Sequence, residues 1–126
     1  MKTELRYIEL KSGYFDNGPA WIGKVKLSKS GQTVYFHDKA FQKSHWGYGN
    51  HHDIETGEKY WISGVKKSGS NRHPCGQGKI IIAKAAVEDF LVWTNQSKLD
   101  MSLYEVEDIP DIYPVERVSA LLNQFD

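Results

Sequence analysis

The sequence has little cysteine, little proline and no long apolar run. A single cysteine among 126 residues excludes an intramolecular disulfide and is typical of a reducing compartment. No stretch approaches the roughly 20 apolar residues of a membrane-spanning helix, and the opening residues MKTELRYIELK lack the apolar core of a signal peptide. We therefore expect a cytoplasmic protein without membrane contacts. The length favours one domain and excludes a large multidomain catalyst.

Aromatic side chains, in contrast, are abundant. They form 13% of the chain, and flat rings favour the pleated surface of a sheet. Apolar and polar residues alternate with a period of two in several short segments bounded by turn residues, and this pattern predicts half-buried strands. These segments are ELRYIELK (4–11), AWIGKVKL (20–27), QTVYFH (32–37) and KYWISGV (59–65), followed by the fully apolar KIII (79–82). We interpret the polar and aromatic residues 43–53 as a loop.

Two segments change to a helical period. Ala86, Val87, Phe90 and Leu91 share one helical face, which predicts a packing helix near 84–92. In the C-terminal part, SLYEV is a candidate sixth strand, and Pro114 is a favourable first-turn residue for a helix near 114–125. The predicted fold class is therefore α+β and β-rich. We expect about five antiparallel strands, as an open sheet or as a small, partly open barrel of SH3-like or OB-like type.

Charge is divided unevenly along the chain. Residues 1–99 hold fifteen Lys and Arg against nine Asp and Glu, a net charge of +6, whereas residues 100–126 hold seven acids against Arg117, a net charge of −6. We interpret residues 1–99 as a β-rich body with its packing helix. Residues 100–126 then form an acidic extension that packs on the same domain or covers a basic surface that binds an acidic ligand.

One block of the sequence resembles a known family. The segments GPAWIGKVKLSKSGQTVYF, ETGEKYWISGVKKSGSNRHPCGQGKIII and AVEDFL are similar to a widespread family of small bacterial proteins, over roughly residues 5–91. The family pattern is TGE-x-YW-[IV]-SG, a lysine pair and an Arg-His pair. Here Pro74-Cys75 replaces an aromatic-small pair, and the chain beyond about Trp93 is an extension. The resemblance implies a shared fold.

Members of that family often carry the transferred name 1-deoxy-D-xylulose-5-phosphate synthase. Such an enzyme must hold thiamine diphosphate through a metal ion and enclose its reaction. A chain of 126 residues without a recognisable diphosphate motif leaves little room for this. We therefore expect no cofactor and, more generally, a protein that is not an enzyme.

A basic loop is the first candidate site. Lys66, Lys67, Arg72 and His73 follow Tyr60, and glycines in the same loop would let backbone N–H groups approach an anion. Cations that contact phosphates and rings that stack on bases are the elements of a single-strand nucleic-acid site. This set predicts a surface for nucleic acid or another polyanion. The alternative is a solvated hairpin decoration, with Trp61 in the core.

Metal binding and catalysis are weaker hypotheses. The metal candidates are His51, His52, His73 and Cys75, whose residue types suit zinc but whose spacing matches no established pattern. A histidine base beside Arg72 or Lys67 could serve a small hydrolase, and Cys75 could be a reactive thiol. Neither set includes a recognisable orienting group, so we assign no catalytic residue and no metal site.

Protein binding is the interpretation that we favour. Trp46 and Tyr48 lie in the 43–53 loop, and aromatic residues of this kind are enriched at interfaces. A small domain without a visible active site suits an adaptor, an immunity protein that blocks a toxin, or an accessory to phage defence. We expect a monomer or a weak homodimer that binds a protein partner.

Overall fold

The structure, a computed structural model, describes residues 2–14, 17–45, 47, 49–69, 71 and 78–123. Within these residues the chain forms eight strands, a short 3₁₀ turn (Lys84–Ala86) and two α-helices. The strands are β1 (Lys2–Leu10), β2 (Ala20–Leu27), β3 (Thr33–Phe36), β4 (Lys39–Lys43), β5 (His51–Asp53), β6 (Lys59–Gly64), β7 (Ile80–Ala83) and β8 (Tyr104–Glu107). The helices are α1 (Val87–Thr94) and α2 (Val115–Asn123).

Strands β1 to β6 close into an antiparallel barrel. Each strand pairs with the next along the chain, and β6 pairs back onto β1. The barrel closes because β1 is long enough to pair with two strands: residues 2–9 pair with β2, and residues 6–10 pair with β6. Closure removes the exposed edges that an open sheet of six strands would present.

The barrel interior follows the alternation of the strands. Val25 and Leu27 of β2 belong to the interior cluster together with Trp21, while Lys24 and Lys26 occupy the opposite face of the strand. The pattern predicted for 20–27 is thus confirmed. The buried members of this cluster are Ile8, Val25, Val34, Phe36, Phe41, Tyr60 and Ile62.

A second layer covers one outer face of the barrel. Strand β7 pairs in parallel with the start of β2, and β8 pairs in parallel with β7. Helix α1 packs over these strands, and the rings of Phe90 and Tyr104 meet edge to face with centroids 5.1 Å apart. A third, smaller cluster joins α2 to the β3–β4 hairpin, where Val118 is fully buried beside Tyr35 and Ala40.

The β-rich α+β class, the packing helix and the C-terminal helix are confirmed, but the strand number and the closure differ from the prediction. The predicted 43–53 loop contains the whole of β5, and β4 precedes it. A two-residue turn at His37 and Asp38 joins β3 to β4 without a glycine, since His37 itself takes a positive φ of 51°. This turn lacks the usual sequence signal, so the hairpin was missed.

Candidate protein-binding groove

A groove of about 540 Å³ lies between the N-terminal half of β1, the end of β6 and helix α1. Its lining residues are Glu4, Leu5, Arg6, Gly64, Val65, Asp89, Val92 and Trp93. The groove is open because β6 ends at Gly64, opposite Arg6, while β1 continues in pairing with β2. N-terminal to Arg6, β1 pairs with β2 on one side, and no strand of the described residues pairs with its other side.

Helix α1 contributes the most exposed apolar side chains of the groove. Val92 is 78% exposed and Trp93 is 46% exposed. The indole N–H of Trp93 donates a hydrogen bond of 2.6 Å to the carbonyl of Val65, which fixes the ring against the end of β6. An aromatic anchored by its polar atom and open on its apolar face is typical of a binding surface.

The charged side chains at the groove are largely paired with each other. Arg6 forms an ion pair with Glu4, and Lys24 lies 2.8 Å from a carboxylate oxygen of Asp89. The hydrogen bond that the Lys24 ammonium donates to Asp89, and the negative charge of that carboxylate, raise the pKa of Lys24 above its usual range. The groove therefore has an apolar surface, and the charges of Glu4, Arg6 and Asp89 in its lining are compensated by ion pairs.

Two residues of the predicted basic surface lie at one end of this groove. Lys66 and Lys67 are exposed, and the ammonium group of Lys67 lies 4.7 Å from the centre of the Trp93 ring. The loop begins with a tight turn in which Gly69 N–H donates to the Lys66 carbonyl, and the Tyr104 hydroxyl donates to the Gly69 carbonyl. The start of the loop is thus attached to the packed body.

Tyr60 does not belong to that exposed surface. It is 2% exposed and packs inside the barrel with its ring centroid 4.6 Å from that of Phe41. Burial raises the pKa of its hydroxyl far above the usual range. Because Tyr60 and Ile62 point inwards, Trp61 points outwards and is 42% exposed, which is the reverse of the alternative that placed Trp61 in the core.

Five predicted site residues fall outside the described part of the chain. They are Arg72, His73 and Cys75, which follow Asn71 in the sequence, and Trp46 and Tyr48, which precede and follow Gly47. Their roles as anion-binding, metal-binding or interface residues therefore stay predictions.

The two histidines of β5 point to opposite sides of the strand. His51 is buried, and its Nδ1 is 2.8 Å from the side-chain oxygen of Asn50. Burial, with smaller effects from Lys43 and His52, lowers the pKa of His51 to about 4. Burial also lowers the pKa of His52, whose Nδ1 has no hydrogen-bond partner in the described structure. No group of three potential ligands in the described residues could hold a metal ion.

Sequence reasoning missed Leu5, Val65 and Val92 as groove residues. Three separate segments bring them together, so no local spacing could indicate the groove. One signal was available: Val92 and Trp93 fall outside the apolar stripe of α1, and apolar residues on the exposed face of a helix indicate a contact surface.

Comparison with protein-family models found no match, and neither did comparison with curated proteins or with solved structures. Membership of the bacterial family that the TGEKYWISG block resembles therefore stays a prediction. No helix of the described chain is long and apolar enough to cross a membrane. The chain is a small β-barrel domain.

Proposed function

We propose that this small β-barrel domain is a protein-binding module whose groove between β1 and α1 takes an extended segment of a partner protein. The observation that carries the proposal is the pair of exposed apolar residues, Val92 and Trp93, above a groove of about 540 Å³. Exposed aromatic and aliphatic side chains beside a concave surface are the anchors of protein interfaces, not of solvated helices.

The charge of the groove favours a protein segment over a polyanion. A polyanion needs cations that are free to contact phosphates, whereas Arg6, the cation that lines this groove, is paired with Glu4, and the lining residue Asp89 is paired with Lys24. A mainly apolar segment loses little solvation in such a groove and places its side chains against Leu5, Val65 and Trp93. An extended segment could also pair with the part of β1 that lies N-terminal to Arg6, where β1 has a neighbouring strand on one side only among the described residues.

A second candidate is nucleic-acid or polyanion binding at Lys66 and Lys67. The supporting observation is the exposed ammonium of Lys67 above the Trp93 ring, because a cation beside an exposed ring is one element of a single-strand site. Tyr60, the other ring expected there, is in the core. We therefore rank this function second.

The test is peptide selection followed by mapping. A library of random peptides is panned against the folded protein, and a selected peptide is titrated while backbone amide and indole NMR signals are followed. We expect the largest shifts at Leu5, Val65, Val92 and Trp93, with the Trp61 indole unchanged as an internal control. Enrichment of no peptide, or shifts centred on Trp61, would overturn the proposal.

The same preparation distinguishes the second candidate. A single-stranded oligonucleotide is titrated at low and at physiological salt, with Lys66→Ala/Lys67→Ala as the matched variant. Polyanion binding predicts an affinity that falls steeply with salt and is lost in the double variant. A groove for a protein segment predicts peptide affinity that changes little with salt and no saturable binding of the oligonucleotide.

A further inference from the structure

Strand β8 is the outermost strand of the sheet. It pairs on one side with β7, from Ile80 opposite Tyr104 to Ala83 opposite Glu107, and no strand in the described residues pairs with its other side. The Ile80 N–H donates to the Leu103 carbonyl at 2.9 Å, which shows that the odd-numbered residues of β8 turn their polar backbone groups towards β7.

The even-numbered residues therefore turn their backbone groups to the open side. The Tyr104 N–H donates a hydrogen bond of 3.1 Å to the Asp100 carbonyl. The other backbone groups on the open side are the Tyr104 carbonyl and the N–H and carbonyl of Val106. An extended chain laid along this side would pair with them and continue the sheet.

The two faces of β8 differ in chemistry. Tyr104 packs on Phe90, and Val106, on the same face, is 38% exposed. Glu105 and Glu107 occupy the other face, and both are exposed. Just before the strand, Met101 and Leu103 are each 55% exposed. The open edge thus presents an apolar face and an acidic face.

The acids at this edge lie in a part of the sequence without basic residues. Residues 100–116 hold six Asp and Glu and no Lys or Arg. Across the described residues, Glu105, Glu107 and Asp108 form no ion pair. A second copy of this strand would place glutamates beside glutamates, and such like-charge pairs oppose association. The charge of the edge therefore selects against self-association and for a basic partner.

We propose that β8 is a docking edge for an extended segment of a partner protein in which Lys or Arg alternates with apolar residues. Side chains of an added strand alternate between its two faces. One set would lie beside Tyr104 and Val106, and the other beside Glu105 and Glu107. The inference rests on the proposed function, because it assumes a protein-binding module. It names the chemistry of the bound segment and uses an edge separate from the groove.

The probe is a labelled eight-residue peptide that alternates Lys and Val, titrated against the full chain by fluorescence anisotropy. Two control peptides are matched to it: one has Glu in place of Lys, and one has the same composition with all lysines in a single block. A third carries N-methyl groups along one edge, which keeps the charge but removes backbone hydrogen bonds.

We expect the alternating peptide to bind, to slow hydrogen exchange of the Val106 amide, and to bind at least tenfold more tightly than each control. The double substitution Glu105→Lys/Glu107→Lys should lower the affinity for the alternating peptide by at least tenfold and should raise the affinity for the Glu peptide. Equal binding of the block or N-methylated peptide would overturn strand addition in favour of nonspecific charge attraction. Failure of the alternating peptide to bind would also overturn it.

Failure here is distinguishable from failure of the proposed function. Val92→Asp changes the groove and should leave the affinity of the alternating peptide unchanged, and loss of that affinity would contradict an edge separate from the groove. Conversely, Glu105→Lys/Glu107→Lys should leave the affinity for peptides selected on the groove unchanged. Each surface is therefore tested with the other as its control, after the melting temperature has shown that the variants fold.

Discussion

Gly23 of β2 leaves space that is filled by Phe36 of β3. A Cβ atom at this position would lie 2.4 Å from a ring carbon of Phe36, so the ring of Phe36 occupies the space of the missing side chain. Phe36 belongs to the barrel interior, where packing is dense and neighbours move little. Glycine is needed here for space, since its φ is not in the left-handed region.

We therefore expect Gly23→Ala to lower the free energy of unfolding by about 1–3 kcal/mol, the usual cost of overpacking a core. Urea unfolding measures this change. Gly64→Ala in β6 is the matched control, because no heavy atom lies within 4 Å of the added carbon. Equal effects of the two substitutions would show that Phe36 does not occupy the space beside Gly23.

His51 makes stability depend on pH. The unfolded chain takes up a proton near the ordinary pKa of 6.5, whereas the folded chain takes it up only near 4, mainly because the imidazole is buried. Below pH 6.5 the unfolded state therefore binds more protons than the folded state. The stability that the neutral ring contributes is fully present above pH 6.5 and is lost as the pH falls towards 4.

We expect the wild-type protein to lose about 3 kcal/mol through His51 between pH 6.5 and pH 4. His51→Gln should lose correspondingly less over the same range. Urea unfolding at four pH values measures the difference, with His45→Gln, an exposed position, as the control. Parallel stability curves for wild type and His51→Gln would contradict a buried neutral imidazole.

At the scale of elements, Asn50 holds the short strand β5 in place. Its side-chain N–H donates to the Ile62 carbonyl and its side-chain oxygen accepts from the Ile62 N–H, both at 2.8 Å. Its backbone N–H also donates to the Tyr60 carbonyl. The side-chain amide thus continues the ladder beyond the three residues of β5, which explains how so short a strand contributes to barrel closure.

The sequence predicts some of these elements and not others, for physical reasons. Strand β2 alternates over eight residues, and helix α1 carries a clear stripe, so both were predictable. Strand β5 has three residues, too few for a period, and its support comes from a side-chain amide. The groove joins Leu5, Val65 and Val92, which only the closed barrel brings together.

Helix α2 is held mainly by burial of one face. Val118 is completely buried, whereas Arg117 forms exposed ion pairs with Asp38 and Glu55. Exposed ion pairs contribute little because water screens them, whereas burial of a valine contributes about 2 kcal/mol. Burial of Val118 should therefore stabilise the position of α2 more than the ion pairs of Arg117 do.

We expect Val118→Ala to lower the free energy of unfolding by about 2 kcal/mol and Arg117→Ala to lower it by clearly less. Urea unfolding compares the two neighbouring substitutions directly. A larger loss for Arg117→Ala would show that the ion pairs, not the buried face, hold α2 on the β3–β4 hairpin.

At the scale of the whole molecule, the acidic extension contacts the basic body mainly through apolar packing and through Arg117. The extension meets the body through buried Tyr104 and Val118, and its one cation, Arg117, pairs with acids of the body. No acid of the extension forms an ion pair with a cation of the body among the described residues. The exposed glutamates of β8, Glu105 and Glu107, are therefore available to a partner.

The two proposed surfaces would bind different parts of a partner protein. The groove beside α1 is apolar with paired charges, and the β8 edge is acidic with a partly apolar face. A partner protein that presents both an apolar segment and a basic strand would be bound by both, and a nucleic acid would be repelled by the second. This complementarity is the whole-molecule argument for protein binding.

The most direct test of the account is the affinity of one groove-selected peptide for Val92→Asp compared with Trp61→Ala. Both wild-type side chains are exposed and apolar, but only Val92 lines the groove. The account predicts at least a tenfold loss of affinity for Val92→Asp and no change for Trp61→Ala. Unchanged binding by Val92→Asp, or an equal loss in both variants, would contradict the central claim that this groove binds protein.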